Sequence, residues 1–155
     1  MADSSLSQQD LEKLISAAIH AKEFAYCKYS KFRVGAALLS ANGDVIKGAN
    51  IENASYGGTI CAERTAIVKA VSEGIKSFIG LAVVTDVPSA ISPCGMCRQV
   101  LREFCALEMP VYLVPADHQK RVAGGDKDGG IKKTSIGELL PESFGPEDLE
   151  LPRTS

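Results

Sequence analysis

The chain has 155 residues, 45% of them hydrophobic and 23% charged, with 17 Lys and Arg against 19 Asp and Glu and a formal net charge of −2. That length and composition suit an ordinary soluble fold, a single domain over 1–155 with flexible ends expected at 1–6 and 150–155. The missing basic excess argues against a nucleic-acid partner, and the longest apolar run, 78–84, is far shorter than the roughly 20 residues that span a bilayer, so no membrane partner is expected.

The start, "MADSSLSQQD", lacks the basic and apolar regions of a secretory leader, and a cytoplasmic location is expected. Ser7 with Asp10 forms a helix start, and Leu11, Leu14, Ile15, Ala18 and Ile19 follow at helical spacing, which predicts an amphipathic helix over 7–25. Asn42-Gly43 is a two-residue hairpin turn signal between apolar runs, so strands are expected at 33–40 and 44–51. "CAERTAIVKAVSEG" reads as a second helix stopped at Gly74, and "FIGLAVVT" as a buried strand. Helical periodicity returns over 94–104, a strand "PVYLV" follows at 110–114, and the charged, glycine-rich 116–130 reads as an exposed loop or loose hairpin. A last strand near 131–134, a short helix capped by Ser135 and a proline- and acid-rich tail from Glu142 complete the chain. Strands alternating with helices in this order predict an α/β fold, a mixed sheet covered by helices.

Five cysteines in a reducing compartment point to metal binding or burial rather than disulfides. Cys94 and Cys97 alone are compatible with a redox pair, a zinc site or simple burial. Cys61 adds a third sulfur at the start of another predicted helix. Two helix N-termini, with positive dipole ends and unpaired N–H groups, favour thiolates. Three protein thiolates leave the fourth position of a tetrahedral zinc open, as catalysis requires. Glu63, two residues after Cys61, is the candidate base and acid for a water molecule at such a site, provided Cys61 stands at the very start of its helix. Arg64 and Arg98 are candidate donors to the sulfurs, Arg98 being equally readable as a solvated cation. Cys27 and Cys105 read as buried hydrophobes, and His20 and His118 complete no hydrolase triad.

"CAERTA" and "PCGMCRQVLREF", together with "FRVGAALL", "NIENASY" and "SFGPEDL", resemble the small, homotetrameric, zinc-dependent cytidine deaminase family, from about residue 24 to 149. The resemblance implies a mixed five-stranded sheet with helices in three layers, one Zn2+ per subunit on Cys61, Cys94 and Cys97, and Glu63 as proton shuttle in the hydrolytic deamination of cytidine and deoxycytidine in pyrimidine salvage. It further implies that the Ala62 N–H and Phe32 meet the base, that Asn50 and Glu52 bind the ribose, and that Tyr56 and Phe144 reach a neighbouring subunit's site. Arg33 stands where proline is frequent in the family, and Gly57-Gly58-Thr59 replaces a Pro-Leu-Gly-like stretch. Three other readings remain: deamination of a cytosine-containing antibiotic, a noncatalytic zinc module, and a thiol oxidoreductase that would tolerate loss of Cys61.

Overall fold

Ser7 Oγ accepts a hydrogen bond from the Asp10 N–H at 3.1 Å, and this cap starts α1 (Gln8–Lys22) at the position its spacing predicts. The computed structural model describes residues 6–154; the expected flexible ends at 1–6 and 150–155 fall partly outside them. Strands β1 (Gly35–Ser40), β2 (Val45–Ala49), β3 (Phe78–Val84), β4 (Pro110–Val114) and β5 (Lys132–Ser135) form one sheet in the order β2-β1-β3-β4-β5. β3 and β4 are parallel and the other neighbours antiparallel. Gly43, at φ +89°, closes the β1–β2 hairpin.

Alternation along the strands divides the core into two layers. Ala37, Leu39, Ala82, Val84, Tyr112 and Val114 pack with Leu14, Ile15 and Ala18 of α1. Ala36, Leu38, Leu81, Val83, Val111 and Leu113 pack on the other face with α2 (Ala62–Ser72) and α3 (Gly95–Phe104). Burial on both faces explains why β1 and β4 read as continuous apolar runs. Each fully buried Leu or Ile contributes about 1.5–3 kcal/mol relative to exposure. This is the mixed five-stranded sheet in three layers that the resemblance implied.

Two glycines let the helices approach the sheet beside the site. A Cβ on Gly35 would collide with the Ala18 carbonyl and the Lys22 backbone of α1, and one on Gly48 with the Ala62 carbonyl and the Ala66 backbone of α2.

Three expectations need correction. The 116–130 stretch holds a helix, α4 (His118–Ala123), stabilised by an Arg121–Asp117 ion pair at i,i+4, and it ends at Gly124 before Gly125 at φ +98°. Its glycine and charge content hid a single well-made turn. The tail also folds: after α5 (Ile136–Leu139), capped by Ser135, α6 (Pro146–Leu149) starts at a proline in its first turn. The first two strands are shorter than expected, β1 starting at Gly35 and β2 ending at Ala49, because side chains replace the ladder around residues 32–34.

Candidate active site

α2 and α3 begin side by side, and a cysteine is the N-cap of each: Cys61 for α2, Cys94 for α3. Both caps have extended backbones, which leaves their sulfurs in front of the helix ends. Cys97, one turn into α3, is fully buried and adds the third sulfur. The three sulfurs lie within 4.8 Å of one another. Zinc–sulfur bonds of about 2.3 Å in a tetrahedron hold sulfurs about 3.8 Å apart. Cys61 and Cys94 are 3.8 Å apart, so the donor set fits the metal.

Electrostatics support the same reading. The Cys61 thiol is lowered to about 5, first by a hydrogen bond from Cys97 and then by Arg64, whose Nη2 donates to its sulfur at 3.5 Å. Cys97 moves upward for the matching reason, since its proton is shared with Cys61 and burial disfavours its charge. Protein charge alone therefore favours the thiolate at Cys61 and disfavours it at Cys97; a bound dication would favour the anion at both. Arg64 is raised by its hydrogen bonds to the Cys61 and Cys97 sulfurs.

Glu63 is 5% exposed, and its Oε2 accepts from Cys97 Sγ at 3.8 Å. Burial raises its pKa, reinforced by the charge on Cys61. The i,i+2 separation from Cys61 works because Cys61 is the cap and Glu63 lies in the first turn.

A cavity of about 210 Å³ opens onto this cluster. The cavity brings together Phe32, Asn50, Cys61, Ala62, Glu63 and Cys94 from the predicted set. Glu52 and Tyr56 line an adjoining cavity of about 440 Å³ with Tyr29 and Ser30, and Thr59 borders both. Glu52 Oε1 accepts from the Tyr29 and Ser30 N–H groups at 3.0 and 3.1 Å. Phe144 lines neither cavity and is 60% exposed.

Arg98 does not reach the sulfurs. It donates to the Pro93 and Leu139 carbonyls and to Ser92 Oγ at 2.6–2.7 Å, bracing the loop before Cys94 against the last residue of α5. Cys105 is buried as expected and its thiol pushed up to about 12, whereas Cys27 is only half-buried. Sequence reasoning missed Thr85, Ile91 and Ser92 on the cavity wall. Their signal was position: Thr85 follows the C-terminal end of a parallel strand, where α/β folds place ligands.

Comparison with known proteins agrees with this geometry. A family model described as the cytidine and deoxycytidylate deaminase zinc-binding region matches residues 8–113. The chain belongs to this family of zinc-binding deaminase enzymes. The cytidine deaminase of Sporosarcina psychrophila is 51% identical over 90% of this chain and 95% of its own, and that of Halalkalibacterium halodurans 49% over 90% and 98%. The crystal structure of cytidine deaminase from Burkholderia pseudomallei is 40% identical, with a TM-score of 0.76 over 90% of this chain and all of that one. The Mycobacterium tuberculosis cytidine deaminase structure has a TM-score of 0.70 at 38% identity, over 88% and 98% of the two chains. Among the described residues no helix is long and apolar enough to cross a membrane.

Proposed function

We propose that this chain, acting as a single domain, deaminates cytidine and deoxycytidine hydrolytically to uridine and deoxyuridine in cytoplasmic pyrimidine salvage. One observation carries the reading: a buried carboxyl, Glu63, stands with the Cys61 and Cys94 sulfurs on the wall of a cavity of about 210 Å³, the Cys97 sulfur lying within 4.8 Å of both. Cys61, Cys94 and Cys97 would hold Zn2+, which supplies Lewis acidity and brings the pKa of a water molecule toward neutrality. Glu63 takes that water's proton on a carboxylate oxygen and delivers it to N3 of the pyrimidine while the water oxygen bonds to C4. It then carries the second water proton to the exocyclic amino group, the C4–N bond breaks, and ammonia leaves. Burial raises the proton affinity of Glu63, which suits a group that must hold a proton between these two deliveries.

Phe32 packs on the base, the Ala62 N–H at the α2 terminus faces the pyrimidine, and Asn50 and Glu52 bind the ribose. Asn50 already spends one N–H and one lone pair on the Phe32 and Val34 backbone, which leaves one of each for a hydroxyl. Tyr56 and Phe144, 73% and 60% exposed, complete sites in neighbouring subunits of a homotetramer; their exposure on this subunit supports that assignment.

The test is ammonia release from cytidine, deoxycytidine and the cytosine antibiotic blasticidin S by zinc-loaded protein, with Glu63→Gln alongside. Turnover of the nucleosides alone, with an inert variant of unchanged zinc content, is the expected result. Near-normal activity in the variant would remove Glu63 from the proton path.

A further inference from the structure

Residues 32–34 lead into β1, the strand lying between β2 and β3. The ladder ends at Gly35, paired with Ala49 on one side and Val84 on the other. Beyond it, side chains largely take over from backbone. Asn50, the residue after β2, donates from Nδ2 to the Phe32 carbonyl at 2.8 Å and accepts the Val34 N–H on Oδ1 at 2.9 Å. Asp86, two residues after β3, accepts the intervening Arg33 N–H on Oδ2 at 2.9 Å. The same carboxylate takes the Arg33 guanidinium on both oxygens, at 3.1 and 2.9 Å. Three consecutive residues are thus held through their backbones, alternately from the β2 side and the β3 side.

Asp86 ties a third element to this junction. Lys22, in the last turn of α1, reaches Asp86 Oδ1 at 3.3 Å and donates to the Thr85 carbonyl at 3.0 Å. Phe32, Val34, Asn50 and Thr85 all line the cavity that holds Cys61 and Glu63, whereas Asp86 stands behind its wall. Arg33 occupies a position where a proline would restrict the backbone unaided; here the Asp86 carboxylate supplies the restriction.

We infer that Asp86 is a positioning residue for substrate: it fixes the Arg33 backbone, and with it the Phe32 ring, at the wall of the nucleoside cavity, with Lys22 and Arg33 orienting its carboxylate. Partial burial alone would raise the Asp86 pKa, but hydrogen bonds from the Arg33 side chain and backbone and from Lys22 hold it at about 2. The carboxylate is therefore charged throughout the neutral range. The inference rests on the reading that Phe32 packs on the base.

Two readouts test it on the zinc-loaded protein. In the first, amide exchange over residues 31–36 is followed by mass spectrometry in the parent, Asp86→Ala, Asp86→Asn and Arg33→Ala. Exchange rises about tenfold in Asp86→Ala and less in the other two, which keep an acceptor for the Arg33 N–H or the N–H–carboxylate bond itself. In the second, KM for cytidine rises about tenfold in Asp86→Ala with kcat within about twofold, and Asp86→Asn recovers part of the loss. Unchanged exchange in Asp86→Ala overturns the backbone clamp. A loss of kcat and zinc with KM unchanged makes Asp86 a general structural brace and overturns the positioning role, as does an Arg33→Ala defect equal to that of Asp86→Ala. If the parent itself releases no ammonia, the proposed function fails and the exchange experiment still decides the clamp.

Discussion

Arg64 Nη2 donates to Cys61 Sγ from three residues along the same helix, while its Nε is buried with no hydrogen-bond partner. Leaving such a group unsatisfied costs about 1–3 kcal/mol, so this guanidinium is not placed for the best stability of the fold. Its charge lies instead against Cys61 Sγ, where, in the proposed zinc enzyme, it would temper the donor power of a thiolate so that the metal keeps its Lewis acidity.

Arg64→Gln should therefore move stability and activity differently. Activity or zinc affinity should fall by about 10–100-fold, the usual effect of losing a hydrogen bond behind a metal ligand. The metal-free variant should unfold at the same temperature as the metal-free parent or higher, since the substitution removes the unsatisfied Nε. Metal titration, kcat/KM and calorimetry together check this; a large loss of apo stability would assign Arg64 to the core.

Gly48 sets the distance between β2 and α2, the helix that carries Cys61 and Glu63. Gly48→Ala forces a methyl group against the Ala62 carbonyl and the Ala66 backbone. A cost of about 1–3 kcal/mol follows from overpacking, with a fall in kcat because the site moves with the helix. Gly95→Ala, where nothing lies within 4 Å of the added carbon, should leave the unfolding temperature near that of the parent. Denaturation curves of the two variants make the comparison.

Acid stability should carry a signature of Asp86. Its folded pKa of about 2 lies below the ordinary aspartate value of about 3.9, so its contribution is fully present above about pH 4 and is lost as pH falls through about 2. The Asp86→Asn variant should unfold about 2 °C below the parent at pH 6, a modest figure because Arg33 is half exposed. The gap should close between pH 4 and pH 2. Melting curves across that range test the sign directly.

Arg102, on α3, anchors the C-terminal segment. Its guanidinium is buried, donates from Nε to Ser143 Oγ at 3.1 Å and pairs with Glu147, while Gln99 Nε2 donates to the Phe144 carbonyl at 3.2 Å. Gly145 leaves room for it, since a Cβ there would strike the guanidinium. Arg102→Met keeps the apolar stem and removes the bonds to Ser143 and Glu147, leaving that of Gln99. Amide exchange over 141–150 should quicken by about tenfold, with little change over α1. In the proposed tetramer KM for cytidine should rise with it, because Phe144 would be presented less firmly.

Several elements were legible along the chain because their causes are local. Ser7 caps α1, Gly43 turns the hairpin, Ser135 caps α5, and the i,i+3 cysteine pair meets at the start of α3, Cys94 as its cap and Cys97 in its first turn. The same locality explains one failure: the charged, glycine-rich 116–130 reads as a loop, although the Asp117–Arg121 pair supports α4 within it.

Residue types and spacing alone determined that three sulfurs and a carboxyl stand at two helix starts, since a cap and a first turn fix where their side chains go. Tertiary structure decided which partners the longer side chains found. Arg64 reaches a sulfur, whereas Arg98, beside Cys97, turns away to Pro93 and Leu139; both have the same five donors and ample reach. The Asp86–Arg33 clamp joins residues 53 apart, and the Arg102–Glu147 pair residues 45 apart. No periodicity encodes such pairs; they exist because the sheet order places the ends of β1 and β3 together and α3 lies beneath the returning tail.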